Sequence, residues 1–207
     1  GQIDAHEQEF TFFKWGCLKA INTKGLIIDL SYLEESIGVP LLGLIGYGMI
    51  FDTELVIDYT TKTIDVYKAP WLSRHKKQSP SMTVSFKLNY HFPVIHGSIK
   101  SQDIALAIDT GARSNLLCDI DKSLIFKAKK ATYLVGVDQV LIPTNQVIIE
   151  RTTIGDAHFA HLEYVLSHTA NALAKQADFE GFIGGQFLKR WSKWAINYRK
   201  KEIYFWE

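Results

Sequence analysis

The stretch that decides the fold is Ile104-Ala105-Leu106-Ala107-Ile108-Asp109-Thr110-Gly111-Ala112. Its first five residues are all apolar, which is typical of a buried β-strand. A carboxylate, a β-branched hydroxyl, a glycine and a small residue then follow, and this composition indicates a tight turn. The sequence therefore predicts a strand that delivers the carboxylate of Asp109 into a turn.

A second motif, Gly181-Phe182-Ile183-Gly184, lies 72 positions after Asp109. Together the two motifs resemble the pepsin-like and retropepsin-like aspartic proteases. In lobes of that family the Asp-Thr-Gly loop packs beside a strand that ends in two hydrophobic residues and a glycine, which Phe182, Ile183 and Gly184 match. The resemblance implies an all-β acid-protease fold, with a closed or partly open β-barrel lobe and short helices.

The resemblance also assigns catalytic roles. Asp109 would be one of two catalytic carboxylates, and Thr110 would fix the loop by hydrogen bonds across the interface between two lobes. Gly111 would give the turn its backbone freedom or permit a close approach. The resemblance thus places the catalytic motif at Asp109, Thr110 and Gly111.

Substrate contacts are implied in the same way. Ala112 is small enough to lie beneath the backbone of a bound peptide. The segment 133–140 falls where the family carries its flap hairpin, so Gly136 and Val137 would also contact the substrate. A flap would exclude water and hold an extended polypeptide by strand-like pairing.

The chemistry of this family needs a pair of carboxylates. Two carboxylates about 3 Å apart cannot both ionise, so they share a proton. One acts as general base on a water that attacks the scissile carbonyl, and the other acts as the acid. We therefore expect an aspartic endopeptidase that needs neither an organic cofactor nor a metal. Consistent with this, no Cys/His cluster in the sequence has metal-ligand spacing.

A partial internal repeat is present in the chain. Gly43-Leu44-Ile45-Gly46 matches Gly181-Phe182-Ile183-Gly184 at an offset of 138 positions. Ile57-Asp58-Tyr59 matches Ile196-Asn197-Tyr198 at an offset of 139 positions, so a single-residue insertion aligns the two units. Asp58 therefore aligns with Asn197, which favours a hairpin or cap role over a catalytic one.

The repeat predicts an unequal division of the chain. Residues 1–68 are expected to be the truncated C-terminal half of a first lobe, without an Asp-Thr-Gly. Residues 69–81 are expected to be a charged linker, and residues 82–207 a complete lobe. An equivalent of Asp109 would fall before Gly1, so the chain cannot build the carboxylate pair alone. The second Asp would come either from the missing N-terminal half-lobe or from a symmetric homodimer.

Composition excludes several other classes of protein. The 207 residues carry a net charge of +1, which gives no reason to expect nucleic acid as a partner. No stretch reaches the roughly 18 consecutive apolar residues of a membrane span. The first residues show no signal peptide. The resemblance to bacterial two-lobe aspartyl proteases nevertheless implies an extracytoplasmic location, either periplasmic or secreted.

Two further functions stay open from the sequence. One is a non-catalytic relative that binds peptides in the same cleft, because only one Asp-Thr-Gly is present. The other is an assembly module of the same fold, since a half-lobe leaves unpaired sheet edges that invite pairing with another chain.

Helix signals are few. Ser31 and Glu34 have the spacing of a capping box that opens a helix over 32–37, and Gly38 is the expected stop. The Ala-rich stretch 168–176 is also expected to be helical. The two predicted helices occupy equivalent places in the repeat.

Overall fold

The computed structural model describes residues 4–68, 79–118, 120–135, 140–167 and 171–207. Strands dominate the described residues, and the helices are short, which confirms the all-β expectation. The strands are β1 (His6–Trp15), β2 (Leu18–Ile27), β3 (Glu54–Asp58), β4 (Thr63–Tyr67), β5 (Met82–Asn89), β6 (Phe92–Ile99), β7 (Gln102–Ile108), β8 (Leu116–Cys118), β9 (Lys127–Val135), β10 (Leu141–Ile154), β11 (Ala157–Ser167), β12 (Gly181–Ile183), β13 (Lys193–Asn197) and β14 (Glu202–Trp206). The helices are α1 (Ser31–Ile37), α2 (Tyr47–Ile50), α3 (Asn171–Gln176) and α4 (Gly185–Leu188), with one 3-10 turn at Lys122–Leu124.

Twelve of the described strands form one sheet, in the order β4-β3-β13-β14-β5-β6-β7-β12-β8-β11-β10-β9. Strand β10 also pairs with β6, which folds the sheet back on itself into a partly open barrel. Among the described residues, β1 and β2 pair with each other alone and form a separate two-stranded sheet.

The main hydrophobic core fills the space inside this curved sheet. Its largest fully buried side chains are aromatic, and they include Trp194, Tyr164, Phe187 and Phe205. Phe187 and Phe205 meet with ring centroids 6.0 Å apart in an edge-on arrangement, a geometry that aromatic pairs prefer. Because Phe187 belongs to α4, this packing fixes the helix that follows the Phe182-Ile183-Gly184 motif.

The internal repeat seen in the sequence is also present in the structure, where the two units contain equivalent strands. Strands β3 and β4 have the same bounds as β13 and β14 when 139 is added to each residue number. Both hairpin turns place a lysine at φ 57°, Lys62 in one and Lys201 in the other. The repeat also reaches further upstream than the sequence indicated. The hairpin of β1 and β2 is equivalent to the hairpin that the C-terminal part of β10 forms with β11. The turns of the two hairpins contain Gly16 and Gly155, each at φ 56°.

The two units meet along β3 and β13, which pair antiparallel. Val56 lies opposite Ala195, and these two residues are equivalent positions of the repeat. A local two-fold axis therefore passes between them. The axis also relates the polar pairs at the two ends of the seam, Glu54 with Asn197 and Asp58 with Lys193, whose Oδ2 and Nζ lie 3.1 Å apart.

The predicted division at residues 68 and 82 stays a prediction, and most of the predicted linker, 69–78, lies outside the described residues. Strands β3 and β4 nevertheless share one sheet with the strands of residues 82–207. The predicted role of Asp58 as a turn residue is confirmed. Its Oδ1 accepts the backbone N–H groups of Thr60 and Thr61 at 2.9 Å each.

The predicted capping box is wrong, although the helix itself is present. Helix α1 begins at Ser31, and its N-cap residue Leu30 makes no side-chain hydrogen bond. The backbone N–H of Ser31 instead donates to Oδ1 of Asp29 at 2.9 Å. The side chain of Glu34 turns away instead, and its Oε1 accepts the backbone N–H of Leu41 at 2.6 Å. The predicted stop is confirmed, because Gly38 adopts the left-handed conformation at φ 73°.

The seam between the two units supplies a test of stability. Glu54 is buried, and its Oε2 accepts a 2.5 Å hydrogen bond from Nδ2 of Asn197. Oε1 has no hydrogen-bond partner among the described residues. Asn197→Ala removes the donor and leaves the carboxyl group buried without it, so we expect a loss of about 1–3 kcal/mol in the free energy of unfolding.

Urea unfolding followed by circular dichroism measures this loss. The control is Lys200→Ala, because Lys200 is exposed in the neighbouring turn and surface substitutions change stability by no more than about 0.5 kcal/mol. Equal stability of the two variants would contradict the importance of the seam.

Candidate active site

The turn after β7 holds the carboxylate of Asp109 by its own backbone. Oδ1 of Asp109 accepts the N–H of Gly111 at 2.9 Å and the N–H of Ala112 at 3.2 Å. A Cβ at Gly111 would lie 3.3 Å from that same Oδ1, so a larger residue there would press on the carboxylate. Asp109 is half-buried, whereas Thr110 is exposed and its hydroxyl has no hydrogen-bond partner within the described part of the chain.

The structure brings the two sequence motifs together. Strand β12 lies between β7, to which it is parallel, and β8, to which it is antiparallel. Its residues Phe182 and Ile183 are buried, and the backbone N–H of Asp109 donates to the carbonyl of Ile183 at 3.0 Å. Strand β12 therefore fixes the point at which the chain leaves β7 and enters the Asp109 turn.

Close packing explains both glycines of this second motif. A Cβ at Gly181 would lie 2.3 Å from the carbonyl oxygen of Leu116, and one at Gly184 would lie 2.4 Å from the carbonyl oxygen of Ser114. Both distances are too short for any real Cβ. Only glycine therefore lets β12 and the start of α4 approach the Asp109 turn so closely.

Asn115 is a positioning residue to which sequence reasoning gave no role. It is buried, its Oδ1 accepts the backbone N–H of Gly184 at 3.0 Å, and its Nδ2 donates to the carbonyl of Glu163 at 3.0 Å. One side chain thus joins the Asp109 turn to β11 and α4. The only sign of this role in the sequence is a polar residue six positions after Asp109.

The side chain of Glu163 joins three further elements near the turn. Its carboxylate accepts hydrogen bonds from Lys129 on β9, from Gln146 on β10 at 2.7 Å and from Gln186 on α4 at 3.0 Å. The hydrogen bond from Lys129 lowers the pKa of Glu163, although partial burial acts in the opposite direction. The anionic form of Glu163 therefore helps to hold α4 against the sheet.

A cavity of about 190 Å³ opens beside Asp109. Both repeat units line it, the first through Ile45, Tyr47 and Leu55 and the second through Asp109, Trp194 and Tyr198. The rings of Tyr47 and Tyr198 meet edge-on, with centroids 5.4 Å apart. Burial raises the pKa of Tyr198 to about 12, and the neighbouring Tyr47 adds to the shift.

The predicted flap falls on the connection between β9 and β10. The two strands pair from Leu141 with Val135 onward, so they form the hairpin that the prediction requires. Gly136 and Val137 lie outside the described residues, and their predicted substrate contacts stay predictions. Ala112, the other predicted contact, is half-buried in the Asp109 turn, and its carbonyl accepts the N–H of Gly185 at 2.8 Å.

The described residues hold neither a metal site nor a membrane-spanning helix. No group of three or more His, Cys, Asp or Glu residues in the described ranges could hold a metal ion. Within the same ranges, no helix has the length and apolar character needed to span a bilayer.

Comparison with known proteins finds similar chains among the solved structures. No protein-family model matches the chain, and no curated protein is similar to it in sequence. Among solved structures, a retropepsin-like aspartic protease from Rickettsia conorii is similar over 60% of this chain and 90% of its own, with 16% sequence identity and a TM-score of 0.41. A likeness of this size says nothing about activity.

The bridge made by Asn115 gives a second test. Asn115→Ala leaves the buried N–H of Gly184 without its acceptor, so we expect a loss of about 1–3 kcal/mol in the free energy of unfolding. Hydrogen exchange at the Gly184 amide should become faster. Arg113→Ala is the control, because Arg113 is exposed and its backbone contact to Gln186 is retained. An unchanged exchange rate at Gly184 would contradict the assigned contact.

The pair of Lys129 and Glu163 predicts a pH dependence. A lowered pKa in the folded state adds stability above the ordinary glutamate value of 4.5, and this stability is lost as the pH falls through the folded-state pKa. Lys129→Gln should raise the pKa of Glu163 toward that value and weaken the loss of stability on acidification. Carboxyl ¹³C NMR titration measures the pKa. Lys127→Gln, at an exposed position of the same strand, should leave it unchanged.

Proposed function

We propose that the protein is an aspartic endopeptidase in which Asp109 is one of two carboxylates that activate water. One observation carries the proposal: the Asp109 turn borders a cavity that both repeat units line. A local two-fold axis relates the two units, so a turn equivalent to that of Asp109 would border the same cavity from the other side. That arrangement would supply the carboxylate pair that the chemistry needs.

The hydrolysis then follows from a shared proton. The ionised carboxylate accepts a proton from water as its oxygen attacks the scissile carbonyl, and the protonated carboxyl group donates its proton to the carbonyl oxygen. The tetrahedral intermediate collapses as the amine leaves with a proton from the pair, and one hydroxyl group of the intermediate returns a proton to the pair as the C=O bond re-forms. Hydrogen bonds from Gly111 and Ala112 to Oδ1 of Asp109 orient that carboxylate. Thr110 would fix the turn against its counterpart.

The substrate class in this proposal is an extended polypeptide. The hairpin of β9 and β10 would lie over it as a flap, with Gly136 and Val137 at the tip and Ala112 beneath the peptide backbone. Strand-like pairing on both sides gives affinity through main-chain hydrogen bonds. An extracytoplasmic location, periplasmic or secreted, belongs to the same proposal.

The register of the seam favours one of the two sources of the second carboxylate. A symmetric homodimer that brings two copies of Asp109 together needs residues 1–68 to lie clear of the axis. Strand β3 instead lies against β13, in the place that the β13 of a second copy would take. We therefore favour a first half-lobe with its own Asp-Thr-Gly turn as the source.

A non-catalytic role is the second candidate. The sequence contains a single Asp-Thr-Gly, and the chain alone lacks the pair. A peptide-binding or assembly module would use the same cleft without turnover. It would bind a peptide mimic of the transition state and would never cleave a substrate.

The test is cleavage of an unfolded polypeptide between about pH 3 and 7, where a carboxylate pair gives a bell-shaped profile. The chain is assayed alone over a range of concentrations, and again with a peptide of its own residues 102–118, which carries a second Asp-Thr-Gly. We expect acidic activity with the peptide present. Asp109→Asn in the chain should abolish it, and so should Asp109→Asn in the peptide.

The control variant is Asp103→Asn, since Asp103 is exposed on the same strand. Activity that survives Asp109→Asn would refute the proposal. Activity of the chain alone that rises with the square of concentration would identify a homodimer instead. Binding of a hydroxyl-bearing transition-state mimic without cleavage under any condition would favour the non-catalytic role.

A further inference from the structure

Three apolar residues of the first repeat unit are solvent-exposed, although their equivalents in the second unit are buried. The exposed fractions are 37% for Trp15, 66% for Leu26 and 62% for Leu44. Their equivalents are exposed by 0% for Ile154, 6% for Val165 and 5% for Phe182. Exposed patches of this kind mark interaction sites on proteins. The first unit therefore presents an apolar face where the second unit has packed strands.

The glycines of the two units differ in the same way. Gly181 and Gly184 leave no room for a Cβ, because the carbonyl oxygens of the Asp109 turn and β8 press against them. For their equivalents Gly43 and Gly46, no heavy atom of the described residues, apart from the adjacent residues in the chain, lies within 4 Å of the place that a Cβ would take. The first unit thus has glycines at the two positions where the second unit needs them for close approach, but its own described residues make no such approach.

The two units also differ in the backbone pairing of these segments. The second unit pairs Gly181–Ile183 on both edges, with β7 on one side and β8 on the other. In the first unit, no backbone hydrogen bond joins residues 43–45 to another strand in the ranges that the structure describes. Backbone N–H and C=O groups that lack such pairing can accept an added strand.

We infer that these features form a docking surface for a partner polypeptide that supplies two strands and the turn between them. The surface, here called the open face, consists of Leu26, Gly43, Leu44 and Gly46. The partner's strands would flank residues 43–45 as β7 and β8 flank β12. Its apolar residues would cover Leu26 and Leu44, and its turn would pass close to Gly46.

The chemical class of the partner follows from the two strands that flank β12 in the second unit. There, β7 ends in a carboxylate turn and β8 pairs with β11, the equivalent of β2. A strand-turn-strand segment with apolar strands and a carboxylate in the turn fits the same contacts. A second copy of this chain fits poorly, because its β7 and β8 are already paired with its own β12.

This inference rests on the proposed function only for the role of the partner's carboxylate. The docking itself follows from exposure, glycine packing and backbone pairing. A binding experiment therefore tests it without catalysis. If docking succeeds and cleavage fails, the proposed function fails and the inference stands. If docking fails, the inference fails, and the activity of the chain alone over a range of concentrations then decides the proposed function.

The experiment mixes the whole chain with a peptide of its residues 102–118, which forms the equivalent contacts in the second unit and carries Ser in place of Cys118. Hydrogen exchange with mass spectrometry then follows the amides of residues 43–46. We expect protection of this segment with the peptide and none with a scrambled peptide. Gly46→Ala should weaken binding by about fivefold or more, because overpacking at a close contact costs at least about 1 kcal/mol.

A matched variant separates docking from folding. Gly46→Ala should leave the thermal midpoint of the chain unchanged, whereas Gly184→Ala should lower it, because only Gly184 meets a carbonyl oxygen. Gly48→Ala should leave binding unchanged, since Gly48 is equally open and its repeat equivalent, Gln186, is not a glycine. It should not lower the thermal midpoint, because Gly48 lies within α2 and alanine favours a helix. Absence of peptide-dependent protection, or equal binding by Gly46→Ala and the parent, would overturn the inference. Concentration-dependent protection of residues 43–46 without peptide would also overturn it, in favour of a second copy.

Discussion

The antiparallel pairing of β3 with β13 is the constraint on which the rest of the structure depends. Its register places Val56 opposite Ala195, and these are equivalent residues of the two repeat units. A shift by one residue would move every side chain of β3 to the other face of the sheet. The observed register instead keeps Leu55 and Ile196 in the main core, while Val56 and Ala195 pack on the other face. The two-fold relation is therefore held in place by burial on both faces.

The same constraint makes the candidate site asymmetric. In the second unit, β12 lies between β7 and β8, and the glycines of its motif touch the Asp109 turn. In the first unit, the matching residues 43–46 border the cavity in part, but they have no strand beside them among the described residues. The first unit thus repeats the hairpins of the second unit, but its described residues include no counterpart of β7, of β8 or of the turn that carries Asp109.

Sequence alone was enough for the elements with strong local signals. The apolar run before Asp109, the motif at 181–184 and the stop at Gly38 all predicted their structural roles. The later part of the repeat was also visible, because its glycines and hydrophobic residues recur in order. The hairpin at Gly16 gives little sequence signal for the repeat, since Gly16 and Gly155 are the only identical residues when the two hairpins are aligned. The contacts of Asn115 and Glu163 depend on tertiary approach between distant strands, which periodicity cannot predict.

The central claim is that the two repeat units of one chain form the seam between β3 and β13. Its most direct test is an isotope-filtered NOESY experiment on an equal mixture of labelled and unlabelled protein. We predict cross-strand NOEs between Val56 and Ala195, and between Leu55 and Ile196, within a single chain. NOEs that join Ala195 of one molecule to β13 of another would contradict the claim, because they would place a symmetric dimer on the axis that β3 occupies.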